Sequence, residues 1–302
     1  MNTTPAISTR RVGTIDFDPA ELQRQNEIIL GLTMLHIADG VGDYLLSHLW
    51  YGDGSDKRDT STEVRQRLAY IDWQIERTFR SEYVSLVRIF AARRGGYIRP
   101  HRDFTGSLLP WNRVHIPLQT NEACLSSEDD VVYHMDVGEI WLFDGSRPHS
   151  GIAFSETMRL HLVIDFAPAV PVPELFRDGR GYQPTPLRRF VERPPFTEDD
   201  LAAIYRLGEI ATEANFSRLA EVLGTVHFEK HVSCVAMYDW LIEIGRRSGD
   251  PRLVERGEEL KRICVRAALA EVPPIADPGK RVVASLAGTG YDSPTLSQED
   301  AQ

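Results

Sequence analysis

The first 82 residues of the chain carry apolar side chains at helical spacing. Apolar residues recur every three or four positions between Ala20 and Leu32, and again between Thr62 and Phe79. This period places them on one face of an α-helix, which can then pack on a core. The pattern therefore predicts a mainly helical flank over residues 1–82.

The pattern changes at Tyr83, where short runs rich in β-branched and aromatic residues replace the helical period. Turn signals such as Gly95-Gly96 and Asp144-Gly145-Ser146 separate these runs. The predicted strands cover residues 83–90, 113–118, 130–135, 139–143 and 159–166. Strands of this length and spacing are typical of an antiparallel sandwich or small barrel rather than of βαβ units.

A second helical region follows a proline-rich stretch over residues 168–195. Thr197 with Asp200 three residues later is a variant of the capping box, a signal for the start of a helix. Gly249 is a stop signal for the helix predicted over residues 239–248.

These changes of pattern divide the chain into four parts. After the N-terminal flank we expect a β-rich core over residues 83–170 and a helical domain over residues 171–270. Residues 271–302 are rich in Pro, Gly, Ser, Thr and Asp, and we predict a disordered tail there.

Composition excludes several classes of protein. The formal net charge of −10 at pH 7 argues against a fold-wide basic surface, so no nucleic-acid partner is expected. No apolar run approaches the roughly 20 residues of a membrane-spanning helix. The N-terminal residues lack the features of a secretion signal, and we expect a cytoplasmic protein without a membrane partner. Three widely spaced cysteines make a disulfide framework or a cysteine-zinc site improbable.

The strongest candidate for chemistry is His101-Arg102-Asp103 with His149 further along the chain. Side chains at positions i and i+2 of a strand share a face, so His101 and Asp103 can reach one ion. His149 follows the apolar strand predicted over residues 139–143 and can approach from there. Two imidazoles and one carboxylate favour non-haem Fe(II) and leave positions open for O₂ and a chelating cosubstrate. The tripeptide alone is more typical of a surface turn, but its β-rich surroundings favour the metal interpretation.

Arg159 lies ten residues beyond His149, at the start of a strand with alternating polarity. One face of that strand carries Arg159, His161, Val163 and Asp165. Arg113 and His115 share a face of the strand predicted over residues 113–118. An arginine inside a barrel near an iron site is a good anchor for a carboxylate, because such a charge-assisted bond contributes about 1.5–3 kcal/mol. His115 is equally consistent with a satisfied core histidine.

Around these residues the chain resembles the Fe(II)/2-oxoglutarate-dependent proline hydroxylases of bacteria, in the aspartyl/asparaginyl β-hydroxylase-like group. The resembling stretches of the β-rich region are Arg99 to Phe104, Ser127 to Met135, Gly138 to Trp141, His149 to Arg159 and Val163 to Phe166. Arg193 to Thr197 and Tyr238 to Ile244 resemble the helical C-terminal domain of the free-proline 3-hydroxylases. The resemblance implies a mainly β fold, a double-stranded β-helix (jelly roll) with flanking N-terminal helices and a small all-α C-terminal domain.

The resemblance also implies roles for individual residues. His101, Asp103 and His149 would be the iron ligands, and Arg159 would hold the distal carboxylate of 2-oxoglutarate.

Four further residues are expected near the ligands. Arg113 matches a family arginine expected to meet a carboxylate of the cosubstrate or of the amino-acid substrate, and Arg88, in the strand before the iron motif, is a second candidate for substrate binding. His161 stands where the family often has a serine, and Ser126 stands where the proline enzymes have a loop histidine. Both departures fall near the expected pocket, so we take His161 and Ser126 as candidate cosubstrate-binding residues.

The implied activity is hydroxylation of a ring carbon, C3 favoured, of a free cyclic amino acid such as L-proline or L-pipecolic acid. Fe(II), 2-oxoglutarate and O₂ are the expected cofactor and cosubstrates, with ascorbate as a stimulant and succinate and CO₂ as coproducts. One alternative is a hydroxylase of another free or peptide-bound amino acid. Another is a non-catalytic cupin-like module in which the same ligands hold Zn or Ni and the pocket binds a carboxylate. The sequence leaves the oligomeric state open.

Overall fold

The computed structural model describes residues 7–32, 34–37, 44–51, 60–103, 112–167, 170–179, 181–185 and 190–265. The strands in these ranges are β1 (Arg10–Thr14), β2 (Leu35–Ile37), β3 (Tyr44–Tyr51), β4 (Val84–Ala92), β5 (Tyr97–His101), β6 (Asn112–Gln119), β7 (Cys124–Glu128), β8 (Val131–Tyr133), β9 (Glu139–Phe143), β10 (His149–Ala153) and β11 (Arg159–Phe166). The α-helices are α1 (Pro19–Leu30), α2 (Thr60–Arg67), α3 (Ala69–Thr78), α4 (Val172–Leu175), α5 (Glu198–Arg206), α6 (Phe216–Glu229), α7 (Ala236–Ser248) and α8 (Pro251–Cys264). In the described part of the chain, no helix has the length and apolar character needed to cross a membrane. The predicted tail, residues 271–302, lies outside the described residues.

The strands form two antiparallel sheets. The major sheet has the order β1-β9-β6-β11-β4-β3-β2, and the minor sheet has the order β5-β10-β7-β8. Two antiparallel sheets with helices at their flanks confirm the predicted fold class, a mainly β jelly-roll core.

Strand β11 separates an apolar face of the major sheet from a polar one. It lies between β4 and β6, and all of its residues are buried. The main hydrophobic core takes from it Leu160, Leu162, Ile164 and Phe166, together with side chains of α1 and α3. Successive side chains of a strand point to opposite faces, so Arg159, His161 and Asp165 lie on the other face. Arg159 donates a hydrogen bond to Ser126 of β7, which shows that this polar face is directed toward the minor sheet.

The N-terminal region differs from its predicted helical character. It contains α1, α2 and α3, but β1, β2 and β3 extend the major sheet from the same region. The single helix predicted over residues 62–79 is two helices, because the fully buried Leu68 separates α2 from α3 with φ −99° and ψ 32°. Local spacing does not predict these three strands, because their pairing partners lie elsewhere in the sequence. Strand β1 pairs with β9, and β3 pairs with β2 and β4.

The local signals of the C-terminal helices are confirmed. Thr197 and Asp200 form a reciprocal capping box at the start of α5, with an Asp200 N to Thr197 Oγ1 distance of 3.2 Å. Gly249 ends α7 with φ 74°, a left-handed conformation that costs glycine little because it has no Cβ. The domain boundaries at residues 82, 170 and 270 stay predictions.

The C-terminal helices contact the minor sheet beside His101. The Tyr238 hydroxyl of α7 donates to the carbonyl of Pro100, and the N–H of Arg102 donates to the carbonyl of Cys264 at the end of α8, at 2.8 Å. These two hydrogen bonds hold the backbone on both sides of His101.

Candidate metal centre and carboxylate pocket

His101, Asp103 and His149 converge at one end of the minor sheet. His101 is the last residue of β5, and His149 is the first residue of its antiparallel neighbour β10. The two histidines are directly opposite in the register, and their ring centroids are 4.2 Å apart. Asp103 follows two residues after His101, and one ligand atom of each of the three residues lies within 4.8 Å of the others.

Backbone carbonyls orient both imidazoles. The Nδ1 atom of His101 lies 2.8 Å from the carbonyl oxygen of Arg99, and that of His149 lies 2.9 Å from the carbonyl oxygen of Arg147. A carbonyl only accepts hydrogen bonds, so each Nδ1 carries the proton and each Nε2 offers a lone pair. Burial, followed by the charge of His101, lowers the pKa of His149 to about 3, so this ring is neutral at pH 7.

The Asp103 carboxylate faces both imidazoles with one oxygen. Its Oδ1 lies 3.5 Å from His101 Nε2 and 3.8 Å from His149 Nε2. Burial acts to raise the pKa of Asp103, but the Arg113 guanidinium and the two histidines together hold it well below its usual value. The carboxylate is therefore ionised. Gly145 makes room for it, because a Cβ at Gly145 would lie 2.5 Å from Asp103 Oδ2.

The donor set fits Fe(II). Two imidazole nitrogens and one carboxylate oxygen are the ligands of the non-haem iron oxygenases, and hydrogen-bonded second nitrogens are typical of metal-binding histidines. Since the three side chains occupy one side of an ion, positions opposite them would stay open for other ligands.

Arg159 lies in a second polar site, between the two sheets. Its Nη2 donates to Ser126 Oγ at 2.9 Å, and its Nε donates to His161 Nε2 at 3.0 Å. Gly151 of β10 permits this position, because a Cβ there would lie 2.7 Å from Arg159 Nη1. The structure thus brings together Arg159, Ser126 and His161, which the sequence proposed as one group.

The guanidinium group of Arg159 is buried between the two sheets. The residue is 9% exposed, and among the residues that the structure describes no carboxylate forms an ion pair with it. Burial lowers its pKa below the usual value, although an arginine of this kind stays protonated at pH 7. Burial of an uncompensated charge is costly, so this arrangement favours an anionic ligand beside Arg159.

A row of rings connects the two polar sites. His161 contacts His115, His115 contacts Phe143, and Phe143 contacts His149, with centroid distances of 5.9, 4.6 and 4.6 Å. His115 is buried, and within the described ranges its Nε2 has no hydrogen-bond partner. Burial and then the charges of Arg113 and Arg159 lower its pKa well below the usual value, so His115 is neutral.

The two arginines proposed for the substrate are engaged by carboxylates. Arg113 Nε donates to Asp165 Oδ1 at 2.6 Å, and Arg113 Nη1 donates to Asp103 Oδ2. Arg88 Nη2 also donates to Asp165. Both arginines therefore differ from Arg159, although all three lie on strands of the major sheet.

Two family models match the chain. Residues 50–168 match the aspartyl/asparaginyl beta-hydroxylase family, and residues 173–268 match the C-terminal region of L-proline 3-hydroxylase. An L-proline cis-4-hydroxylase of Rhizobium meliloti (strain 1021) is 36% identical over 203 residues, which cover 67% of this chain and 72% of that relative. The chain belongs to the L-proline hydroxylase family.

Two further members of the L-proline hydroxylase family come from Streptomyces sp. L-proline cis-3-hydroxylase 2 is 31% identical over 227 residues, covering 73% of this chain and 78% of the relative. L-proline cis-3-hydroxylase 1 is 30% identical over 216 residues, covering 70% and 74%. Membership confirms the predicted enzyme class, a dioxygenase that acts as a hydroxylase.

Sequence reasoning missed three residues of this candidate site. Asp165 pairs with both Arg88 and Arg113, and its position on the polar face of β11 was the only available signal. Gly145 and Gly151 are needed because side chains approach them closely, and nothing in the local sequence indicates such an approach.

Proposed function

We propose that this protein is an Fe(II)- and 2-oxoglutarate-dependent dioxygenase that hydroxylates a ring carbon of free L-proline, C3 favoured. His101 and His149 would hold the iron through Nε2, and Asp103 would hold it through Oδ1. The proposal rests on the convergence of these three atoms and on the carbonyl-bound Nδ1 atoms that leave the Nε2 lone pairs available.

One observation carries the cosubstrate assignment: Arg159 is a buried cation without an acidic partner in the described part of the chain. It extends from the major sheet toward the minor sheet, where it contacts Ser126. A dicarboxylate could chelate the metal with one end and pair with the Arg159 guanidinium through its distal carboxylate. In this arrangement Arg159 holds the distal carboxylate of 2-oxoglutarate, while Ser126 and His161 fix the guanidinium group.

The relatives and the helical region support a free amino-acid substrate. The three relatives are named as L-proline hydroxylases, two of them for the cis-3 position. The region after the core matches a 3-hydroxylase family model over residues 173–268. Arg113, with 21% of its side chain exposed, is the better placed of the two substrate arginines, because only 5% of the Arg88 side chain is exposed.

Fe(II), with 2-oxoglutarate and O₂ as co-reactants, would supply the oxidising chemistry: one oxygen atom of O₂ would enter the ring C–H bond as a hydroxyl group, and the other would enter succinate as 2-oxoglutarate loses CO₂. The chain supplies position and environment. The neutral His149 imidazole keeps its lone pair at pH 7, Arg159 compensates the distal carboxylate, and the rings of Phe143 and His115 pack between the two sites.

The test is product analysis with a panel of free amino acids. The protein is incubated with Fe(II), ascorbate, 2-oxoglutarate and either L-proline, L-pipecolic acid or a proline-containing peptide. We expect succinate and a product one oxygen heavier from L-proline, which NMR assigns to cis-3-hydroxyproline. His149→Ala serves as the inactive control. Conversion of the peptide alone, or of none of these compounds, would contradict the proposal.

A further inference from the structure

A chain of alternating charges extends from the interior of the major sheet to the metal centre. Asp165 on β11 lies opposite Arg113 on β6 in the register, with Arg88 on the neighbouring strand β4. Asp165 is 3% exposed and accepts hydrogen bonds from both guanidinium groups. Arg113 in turn contacts Asp103, so the order of the chain is Arg88, Asp165, Arg113, Asp103.

Asp165 fixes the orientation of the Arg113 guanidinium. Arg113 Nε lies 2.6 Å from Asp165 Oδ1, and Arg113 Nη2 lies 3.3 Å from Asp165 Oδ2. A planar guanidinium held by two donors on one edge has little rotational freedom. Its third nitrogen, Nη1, therefore points in a set direction, and it donates to Asp103 Oδ2.

The two oxygens of Asp103 consequently have different environments. Oδ2 accepts from Arg113 and lies against Gly145, whereas Oδ1 faces the Nε2 atoms of the two histidines at 3.5 and 3.8 Å. A carboxylate with one oxygen engaged in this way offers a metal ion the other oxygen. This arrangement would keep positions of the ion open for additional ligands.

We propose that Asp165 is a positioning residue for the metal centre, which acts by holding Arg113 against Asp103. The inference rests on the proposed function, because Asp103 is a metal ligand only there. Arg113 then orients a metal ligand in addition to its expected contact with the substrate. Asp165 orients Arg113 and needs no contact with the substrate. Partners that orient metal ligands typically change metal affinity by 10–100-fold when they are removed.

The first experiment compares Co(II) binding by the wild type and by Asp165→Asn. Co(II) is titrated into the metal-free protein, and its visible absorption reports both affinity and coordination. We expect the Kd for Co(II) to rise about tenfold or more, with a changed absorption spectrum. Asp72→Asn is the matched control, because Asp72 pairs with Arg65 at 2.8 Å outside the site, and its Kd should equal that of the wild type. An Asp165→Asn protein with the Kd and spectrum of the wild type overturns the inference.

A double-mutant cycle tests whether Asp165 acts through Arg113. Asp165→Asn is expected to add little to the loss of Co(II) affinity already caused by Arg113→Met, since residues in one network are not additive. Fully additive losses overturn the proposed route.

A second variant covers the case in which Asp165→Asn does not fold. Asp165→Asn combined with Arg88→Met removes the buried cation that would otherwise lose its carboxylate. The same rise in Kd is expected of this variant, and an unchanged Kd overturns the inference. A wild-type protein that binds no Co(II) would instead overturn the proposed function, so the two failures are distinguishable.

Discussion

The two sheets contribute opposite kinds of ligand to the site. The minor sheet supplies lone pairs, through His101 on β5, His149 on β10 and Ser126 on β7. The major sheet supplies cations, through Arg88, Arg113 and Arg159. In the proposed function, a small molecule that chelates the metal and carries a distal carboxylate would contact both sheets.

A second difference lies within the major sheet. Arg88 and Arg113 are compensated by Asp165 and Asp103, whereas Arg159 has no acidic partner among the described residues. Arginine content alone thus does not identify the cosubstrate anchor. A buried guanidinium without a compensating carboxylate among the described residues is the better candidate for such an anchor, because that cation gains most from an incoming anion.

Removal of a ligand from the minor sheet should have the largest effect. His149→Ala is expected to abolish hydroxylation and to weaken Co(II) binding by more than about 100-fold, beyond the usual effect of outer partners. Titration of the metal-free protein measures this. His231→Ala is the matched control, because 59% of the His231 side chain is exposed and it contacts Asp130 away from the site. If His149→Ala bound Co(II) as tightly as the wild type, His149 would not be a metal ligand.

Acid should destabilise the metal-free protein through histidines of both sheets. Burial lowers the pKa of His149 to about 3 and those of His115 and His161 well below the usual value. These groups are neutral when folded but titrate near pH 6.5 when unfolded. The unfolded chain therefore binds more protons below pH 6.5, and the free energy of unfolding must fall as the pH falls.

The expected slope is up to about 1.4 kcal/mol per pH unit for each such histidine below pH 6.5. Urea unfolding at pH 7.5, 6.5 and 5.5 measures it, and little change is expected above pH 7.5. Asp103, whose pKa is lowered, would lose its contribution only in more acidic solution. A free energy of unfolding that stays constant between pH 7.5 and 5.5 would contradict neutral burial of these rings.

Removal of the Arg159 guanidinium from the major sheet should weaken the binding of 2-oxoglutarate and leave metal binding unchanged. Arg159→Ala is expected to raise the KM for 2-oxoglutarate about 10–100-fold, the equivalent of a charge-assisted hydrogen bond of about 1.5–3 kcal/mol. Co(II) affinity should stay within about twofold of the wild type, since the proposed metal ligands lie on the minor sheet or directly after its strand β5. Arg94→Ala, which removes an exposed arginine paired with Glu156, is the control. An unchanged requirement for 2-oxoglutarate would remove Arg159 from its role.

The sequence predicts the parts of this site that depend on local spacing. His101 and Asp103 share one side of a strand end through their i, i+2 relation, and Arg159 and His161 share a strand face for the same reason. The capping box at Thr197 is also local. In each case the pattern needs no knowledge of distant residues.

The parts that were missed depend on register between distant strands. The Asp165–Arg113 pair exists because β11 and β6 align at that register position, and a shift by one residue would move Asp165 to the opposite face. The strands of the N-terminal region likewise take their identity from pairing with β9 and β4. Close approach at a glycine is equally non-local, and Gly151 is the most accessible case for experiment.

Gly151 of β10 lies against the Arg159 guanidinium, so a single methyl group there tests the space that this group occupies. A Cβ at this position would lie 2.7 Å from Arg159 Nη1 and 3.7 Å from the carbonyl oxygen of Leu125. The guanidinium group must shift in Gly151→Ala, and its contact with Ser126 weakens. We expect a severalfold rise in the KM for 2-oxoglutarate, less than in Arg159→Ala, because the cation is displaced rather than removed.

Steady-state kinetics measure this KM in Gly151→Ala, with Co(II) affinity as the reference for an intact metal centre. Gly31→Ala is the matched control, because its nearest contact would be an ordinary 3.4 Å. If Gly151→Ala and Gly31→Ala had the same KM for 2-oxoglutarate, Arg159 would not need the space that Gly151 provides.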